Sequence, residues 1–567
     1  MPSSIVLLPC SILRRVSSAL FASLISKGTT KDPANLLCLP NETLSEIACF
    51  LDNPDLCALA LVNIRLSAVA EPHIWRELSS LVPILRLLPE FFTNPNSYSG
   101  VSCRVRCLCR AGPALPEDIW DRRPDILRLA SHVRKLLIHP ISLSDVHRDC
   151  MLRTFSQNGY ISTDRDSLKA LAKSVQIHAG FMLFPRLQHV EVNSNHASGI
   201  SSKFLGPLMS PNVTTFVAHC SVGHFERCIQ RSSIGTYIYD EQRPAFRGPP
   251  KPALQRDALL IPMIRTVSST ITAIHTLRLR LTYARQLLPF LHPAAHTLHS
   301  LDLEVFWLAD STADYGLVEL RSLTVRRQCA AFARALAGSM HLEDVALYDV
   351  SVMSSEDMNR ALDRIGQGAL RRVHIQQRAP PQSAPWWSFH KYHIDALTAC
   401  NVLVELDIYA SDAVALSDDD WAAVVPSWPC LRRFKLLPCE PRRRSGDAPV
   451  MGTHTPSATL ACLIPFAINC PNLEELGMHI CLGAVPALAR ELHFVTSRLR
   501  KLDLGRYSAI REAVPDNIVA FLRALFPALR DFQMAPSRAI DVDMWEQMRD
   551  ALASDIIGRV PDSDRVH

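Results

Sequence analysis

NCPNLEELGM, residues 469–478, carries the pattern that decides the fold. Leu473, Leu476 and Met478 stand first, fourth and sixth in a six-residue template, apolar-x-x-apolar-x-apolar. The last two alternate as a half-buried strand requires. Cys470-Pro471-Asn472 reverses the chain just before it. The same template begins at 133, 187, 213, 274, 298, 320, 342, 370, 403, 431, 499 and 529. From 274 onward successive starts are 24, 22, 22, 28, 33, 28, 42, 26 and 30 residues apart. One copy arises readily by chance in a leucine-rich chain; a run at this spacing does not. Similar turns precede other copies, at Phe184-Pro185-Arg186, Trp428-Pro429-Cys430 and Phe526-Pro527-Ala528.

Between copies lie apolar runs at helical spacing, Gln328–Ala337, Asp357–Ile365, Asp420–Val425, Leu460–Ile468 and Asn517–Leu525. Strand, return helix, strand at a period of roughly 20–30 residues is the plan of a leucine-rich repeat. The expected fold class is therefore α/β, an irregular solenoid of parallel strands and return helices over 131–540. The asparagine or cysteine ladder of a regular repeat is mostly missing, so the register of each copy stays open.

Residues 39–78, LPNETLSEIACFLDNPDLCALALVNIRLSAVAEPHIWREL, have another texture. Leu44, Ile47 and Leu51 fall on one helical face, and Leu56, Leu59 and Val62 repeat the spacing. Pro40 suits a first turn, and Glu42 and Glu46 favour the positive end of a helix. Asp52-Asn53-Pro54 ends the first helix and starts the second. Ala68–Ala70 leads into a short third element, which Glu71-Pro72 interrupts before Trp75. Three helices in about forty residues bury too little surface to stand alone. The segment must complete its core against something else.

The order Leu39-Pro40-x-Glu42, Leu44, Ile47, Leu51, Asp55-Leu56, Leu59, Val62, Arg65 and Ile74-Trp75-Arg76-x-Leu78 resembles an F-box nearly end to end. One departure is Asn63-Ile64-Arg65-Leu66, where many F-boxes carry an aromatic. The resemblance covers about 40 of 567 residues. It implies docking onto the Skp-type linker subunit of a Skp–cullin–F-box ubiquitin ligase. Leu39, Pro40, Glu42, Leu44, Ile47, Leu51, Leu56, Val62 and Trp75 are the implied docking residues, some of which must instead form the core. The array after it resembles the divergent leucine-rich repeats of many fungal F-box proteins, above all at Asn469–Leu476. The expected organisation is a leader at 1–36, the helical module at 37–80, a connecting segment at 81–130 with a helix over Leu81–Phe92, the solenoid at 131–540, and a C-terminal helix or cap and tail at 541–567.

Composition narrows the function. The net charge of +5 is spread along the chain rather than gathered on a basic face, so neither nucleic acid nor membrane is an expected partner. Twenty glycines against 39 prolines argue against phosphate-cradling loops. G-x-S-x-G, G-x-x-x-x-G-K, G-x-G-x-x-G and H-E-x-x-H are all missing, so the expectation is an adaptor without catalytic residues, cofactor or metal. Seventeen cysteines, none spaced C-x-x-C, read as small buried hydrophobes of a reducing compartment, cytoplasmic or nuclear. Residues 1–31 hold no acid, and Arg14-Arg15 precede an apolar run; this is a short signal or transit segment, or a leader outside the fold. No stretch is long and apolar enough for a membrane span.

Other constellations read as structural. His292, His296 and His299 sit at a turn beside Pro293. Cys103, Cys107 and Cys109 lack an obvious fourth metal ligand. Ser417 followed by Asp418-Asp419-Asp420 is a helix cap with acids in the first turn. Arg442-Arg443-Arg444 is a solvated loop or a nuclear signal. Trp386, Trp387, Phe389 and Tyr392 are the candidate patch for an unidentified protein target, since aromatics dominate interface energetics, or else fold back to plug the space between neighbouring repeats. The rival reading makes the chain a scaffold, with 39–78 only a capping element that hides its apolar face. A secreted array would instead carry sugar at the sequons of Asn41 and Asn212.

Overall fold

A computed structural model describes residues 38–79, 81, 83–84, 87–88, 118–138, 174–175, 182–194, 208–220, 274–283, 294–307, 317–326, 341–348, 350, 355–366, 369–377, 389–410, 416–438, 457–483, 485–486, 497–505, 509–510, 514–534 and 545–552. The chain forms two compact units, 1–221 with 258–274, and 222–257 with 275–567.

Unit 1 opens with helices α1 (Asn41–Ala48), α2 (Asn53–Val62) and α3 (Ile64–Ile74). Pro40 precedes α1, and the Asp52 side chain accepts the Asp55 N–H at 3.2 Å to close the first turn of α2. Asn63 alone separates α2 from α3. Its backbone is extended (φ −157°, ψ 149°) and its side chain accepts the Arg65 N–H at 2.8 Å. A cap thus divides two helices where no glycine or proline stands. The short third element expected from the sequence is in fact longer: α3 starts at Ile64 and runs through Pro72. The proline lies in the last turn, where it forfeits a single bond, and Trp75 N–H closes that turn onto Glu71 O at 3.1 Å.

β1 (Glu77–Leu78) follows, then α4 (Ile119–Arg122), α5 (Pro124–Ala130), β2 (Lys135–Ile138), β3 (His189–Ser194) and β4 (Thr215–Cys220). β1 pairs with β2, β2 with β3 and β3 with β4, all parallel. Most of the helix expected over Leu81–Phe92 lies outside the described residues.

Unit 2 carries β5 (Thr276–Tyr283), β6 (Ser300–Trp307), β7 (Ser322–Arg326), β8 (Asp344–Tyr348), β9 (Arg372–Gln376), β10 (Glu405–Ala410), β11 (Arg433–Pro438), β12 (Glu475–Met478), β13 (Cys481–Leu482), β14 (Lys501–Asp503), β15 (Ala509–Ile510) and β16 (Asp531–Gln533). Strands β5 to β12, then β14 and β16, pair in succession, all parallel, while β13 and β15 form a separate pair. Every copy of the template coincides with a strand, and its first, fourth and sixth residues are buried, as with Leu403, Leu406 and Ile408. The fourth residues align across neighbours: Leu323, Val345, Val373, Leu406, Phe434 and Leu476 share one row. The second residue fixes the register. Its carbonyl accepts two amides from the next copy, as Glu343 O does from Arg371 N at 2.7 Å and Arg372 N at 3.0 Å.

Between strands lie α6 (Ser355–Ile365), α7 (Lys391–Asp395), α8 (Asp418–Val424), α9 (Leu463–Asn469) and α10 (Pro515–Leu525), with a further helix over 545–552. This is an α/β solenoid pattern of parallel strands and return helices. The run expected at Gln328–Ala337 lies outside the described residues. Ser417 caps α8, its hydroxyl accepting the Asp420 N–H at 3.2 Å. Asp418 turns instead to the next copy and accepts Thr459 N–H and Oγ–H, both at 2.7 Å. The acidic triplet therefore stitches turns together. Trp421 meets Phe434 edge-on at 5.5 Å, and Phe434 meets Phe466 at 5.1 Å. The buried Trp428 satisfies its Nε1–H on Leu397 O at 3.0 Å. Cys400 and Cys470 are unpaired thiols in this core, pushed up by burial to about 11 and about 12. Gly505 adopts φ +64° against His479, where a Cβ would lie 2.3 Å from Nε2.

Candidate docking surfaces

The module's own core takes Leu44, Ala48, Leu51, Leu56, Leu59, Leu66, Val69 and Ala70, with Leu39, Ala60 and Ile74 packed against it. Its short helices hold more apolar residues than that core uses. Helix α2, NPDLCALALV, is apolar almost all round. Leu56 and Leu59 point inward; Leu61 and Val62 stay 88% and 64% exposed. Phe50 after α1 is 64% exposed, and Ile64 at the start of α3 is 87% exposed. Leu61, Val62 and Ile64 thus crowd the α2–α3 junction around Asn63.

The structure divides the nine expected docking residues. Leu44, Leu51 and Leu56 are buried and belong to the core: Leu44 and Leu56 lie on the inward stripes of α1 and α2, and Leu51 turns inward from the bend between them. Leu39, Ile47 and Trp75 are half-buried, and Pro40, Glu42 and Val62 are exposed. Phe50, Leu61 and Ile64 escaped sequence reasoning. For Leu61 the signal was the surplus of apolar residues on α2 beyond one stripe.

Polar contacts hold the module's shape. Arg65 donates from Nη2 to Leu39 O at 2.8 Å and from Nε to Asn41 Oδ1 at 3.0 Å, tying the start of α3 to that of α1. His73 meets Ser45 Oγ at 2.9 Å; burial lowers its pKa, and Arg76 and Arg134 add to this. The module's last strand enters the sheet. Leu78 is buried opposite Leu136, Arg76 O accepts the amides of Arg134 and Lys135 at 2.9 and 3.0 Å, and Glu71 meets Arg128 and His132. One segment therefore caps a sheet through β1 and leaves its surplus apolar side chains outside.

A second surface is the outward side of the unit 2 strands. Opposite charges alternate across it: Arg278–Asp302 at 2.7 Å, Arg372–Asp344 at 2.5 Å, Arg433 to Glu405 at 2.5 Å and to Asp407 at 3.0 Å. Glu475 bridges Lys435 and Lys501 at 3.0 and 3.1 Å. Burial pushes the Asp407 carboxyl up, but His374 and Arg433 beside it outweigh that and hold it below its ordinary value. Small residues, Thr324 and Ala346, open a hollow of about 250 Å³ among Tyr348, Arg372, His374 and Asp407. The His374 ring lies 4.9 Å from that of Tyr348 and 5.6 Å from that of Tyr409, and its Nε2 has no hydrogen-bond partner among the described residues.

The aromatic patch expected to meet a target is only partly a surface. Phe389 is fully buried, 5.2 Å from the His393 ring, because it packs inward ahead of α7. Tyr392 is exposed and its hydroxyl meets Ser355 Oγ. Trp386 and Trp387 lie outside the described residues, as do Cys103, Cys107, Cys109, His292 and Arg442–Arg444. Among the described residues, no group of three or more His, Cys, Asp or Glu is placed to hold a metal ion, and no helix is long and apolar enough to cross a membrane.

Residues 36–80 match the F-box-like family. The module is an F-box-like domain. It is followed by the parallel strands and helices already described. No curated protein matches the chain. A chain of the yeast Rad7–Elc1 complex is similar at 10% identity and a TM-score of 0.31, over 84% of this chain and 94% of that one.

Proposed function

We propose that the protein is a target-recognition adaptor of a Skp–cullin–F-box ubiquitin ligase. The observation that carries the reading is the set of large apolar side chains, Phe50, Leu61, Val62 and Ile64, that the F-box-like domain leaves in water. A plain cap hides such groups against its neighbour, whereas a docking module keeps them uncovered until the partner arrives. The cap role is served separately, by Leu78 on β1. The partner is the Skp-type linker subunit, and Pro40, Ile47 and Trp75 flank the contact.

In this reading the strand array is a divergent leucine-rich-repeat solenoid. Its outward strand side, rather than a reactive centre, engages a protein target. Ubiquitin transfer then follows from proximity: the adaptor raises the target's effective concentration at the ligase and contributes no catalytic group or cofactor of its own. The site of action is cytoplasmic or nuclear. The test mixes the full chain with a purified Skp-type linker and measures the mass of the complex in solution. A one-to-one complex is expected; two separate species at micromolar concentrations would sink the proposal.

A further inference from the structure

The second template position, which fixes the register, also builds a column along the edge at which the unit 2 strands begin. Backbone amide-to-carbonyl bonds link its members in order: His275, His299, Arg321, Glu343, then the arginine-rich stretch Arg371, Val404, Arg432, Glu474, Arg500 and Arg530. The four arginines of that stretch are exposed. Arg432 is engaged with Glu474 at 2.6 Å. Arg371, Arg500 and Arg530 form no ion pair among the described residues, and neither does the neighbouring exposed Arg498. The outward side of the strands differs, because cross-strand pairs neutralise its charges. Among the described residues, arginines in excess of the one carboxylate Glu474 therefore sit on this stretch of the column.

We propose that this arginine column receives an extended acidic segment of the target protein, an inference that rests on the adaptor reading and names the chemistry of its target. Guanidinium forks grip carboxylates in a planar, two-bond geometry. Glu474 shows that the column holds a carboxylate: Arg432 donates to its Oε1 from Nε at 3.2 Å and Nη2 at 2.6 Å, and with the charges of Arg500 and Arg498 this holds the carboxyl below its ordinary value against a burial effect. Strands about 4.8 Å apart place β9 and β16 about 24 Å from each other. That length takes roughly seven residues of extended chain. A nucleic acid fits less well. From Arg371 to Arg530 the column offers no aromatic side chain for bases to stack on, and a carboxylate stands in its middle.

The test uses the full chain and a fluorescein-labelled peptide of about eight alternating Glu and Ala residues, read by anisotropy. Wild type is expected to bind, and to weaken roughly tenfold between about 50 and about 200 mM salt, as exposed charges require. Arg371→Glu, Arg498→Glu, Arg500→Glu and Arg530→Glu together should abolish binding. A milder set with Gln at the same positions should weaken it and leave the thermal midpoint unchanged. Absence of wild-type binding, or equal binding by the charge-reversed chain, overturns the proposal. So does tighter binding of single-stranded DNA or of anionic phospholipid vesicles than of the peptide. Linker capture is measured on the same samples. Peptide binding without linker capture leaves the column assigned and sinks the ligase reading; linker capture without peptide binding sinks the column alone.

Discussion

Helices α2 and α6 are nearly the same length and do different work. In α6, Met358, Ala361, Leu362 and Ile365 form one buried stripe at i, i+3, i+4 and i+7, while Glu356, Arg360 and Arg364 carry charge elsewhere on the helix. Arg360 even pairs with Glu356 and Asp357 on its own helix. In α2, Leu56 and Leu59 are buried but Leu61 and Val62 are not. A helix that serves only its own core confines apolar residues to one stripe. A helix that is apolar beyond that stripe has a second surface waiting to be covered.

The sharpest way to break this comparison is at the α2–α3 junction. Leu61→Asp with Ile64→Asp is expected to remove linker binding. Anchors of this kind are each worth about 2 kcal/mol or more, roughly thirtyfold apiece and about a thousandfold together. The thermal midpoint should not fall, since both positions are already in water. Titration calorimetry with the linker measures the loss, and unchanged affinity would show that the exposed residues of α2 are idle. The next largest effect lies in the two cores. Leu56→Ala and Leu362→Ala should each cost about 2–5 kcal/mol. Hydrogen exchange should localise the first to α1–α3 and the second to α6, because two units need not unfold as one. Only Leu56→Ala should impair linker capture.

What could be read in advance follows the same division. Strand positions were legible because one apolar spacing recurs, and each copy lies on a strand. The position-two arginines were visible singly, as in Leu370-Arg371, Leu499-Arg500 and Leu529-Arg530, but only strand register stacks them into a column. The docking surface was less legible. Periodicity finds apolar residues without saying which of two apolar sides turns inward, so Leu44, Leu51 and Leu56 were grouped with Val62. Phe389 was open for a related reason: residue type allowed either an interface or a plug between repeats, and its depth favours the plug. Pro72 was read as a stop because sequence gives no view of its place in the last turn.

Acid should separate the unit 2 strands from helices α1–α3. Burial holds His479 down at about 4 against an ordinary value of 6.5, so it is neutral in the fold at pH 7. The unfolded chain therefore binds the extra proton between pH 6.5 and 4, and stability falls as pH drops through that window. The loss is about 3 kcal/mol across it. Buried His393 in the same unit is also lowered, chiefly by burial. His73 in the F-box-like domain moves in the same direction but is only half-buried, so its share is smaller. Hydrogen exchange at pH 5 should show the unit 2 strands losing protection before α1–α3, and His479→Gln should flatten the dependence. Earlier loss in α1–α3 would reverse the ranking.

The smallest effects test whether the exposed set needs its geometry or only its composition. Asn63 and Ser417 are both helix caps, and replacing either by Ala should cost about 1 kcal/mol. Ser417→Ala removes an acceptor at the start of a return helix and should change stability alone. Asn63→Ala does more, because Asn63 is the extended residue that keeps α2 and α3 apart. Without its side chain the two helices gain freedom to run together, and Leu61 and Val62 then shift against Ile64. Linker affinity should fall several-fold in Asn63→Ala and hold in Ser417→Ala, at matched loss of stability. Equal affinities would mean that apolar content alone makes the contact and that the junction angle carries no information for the linker.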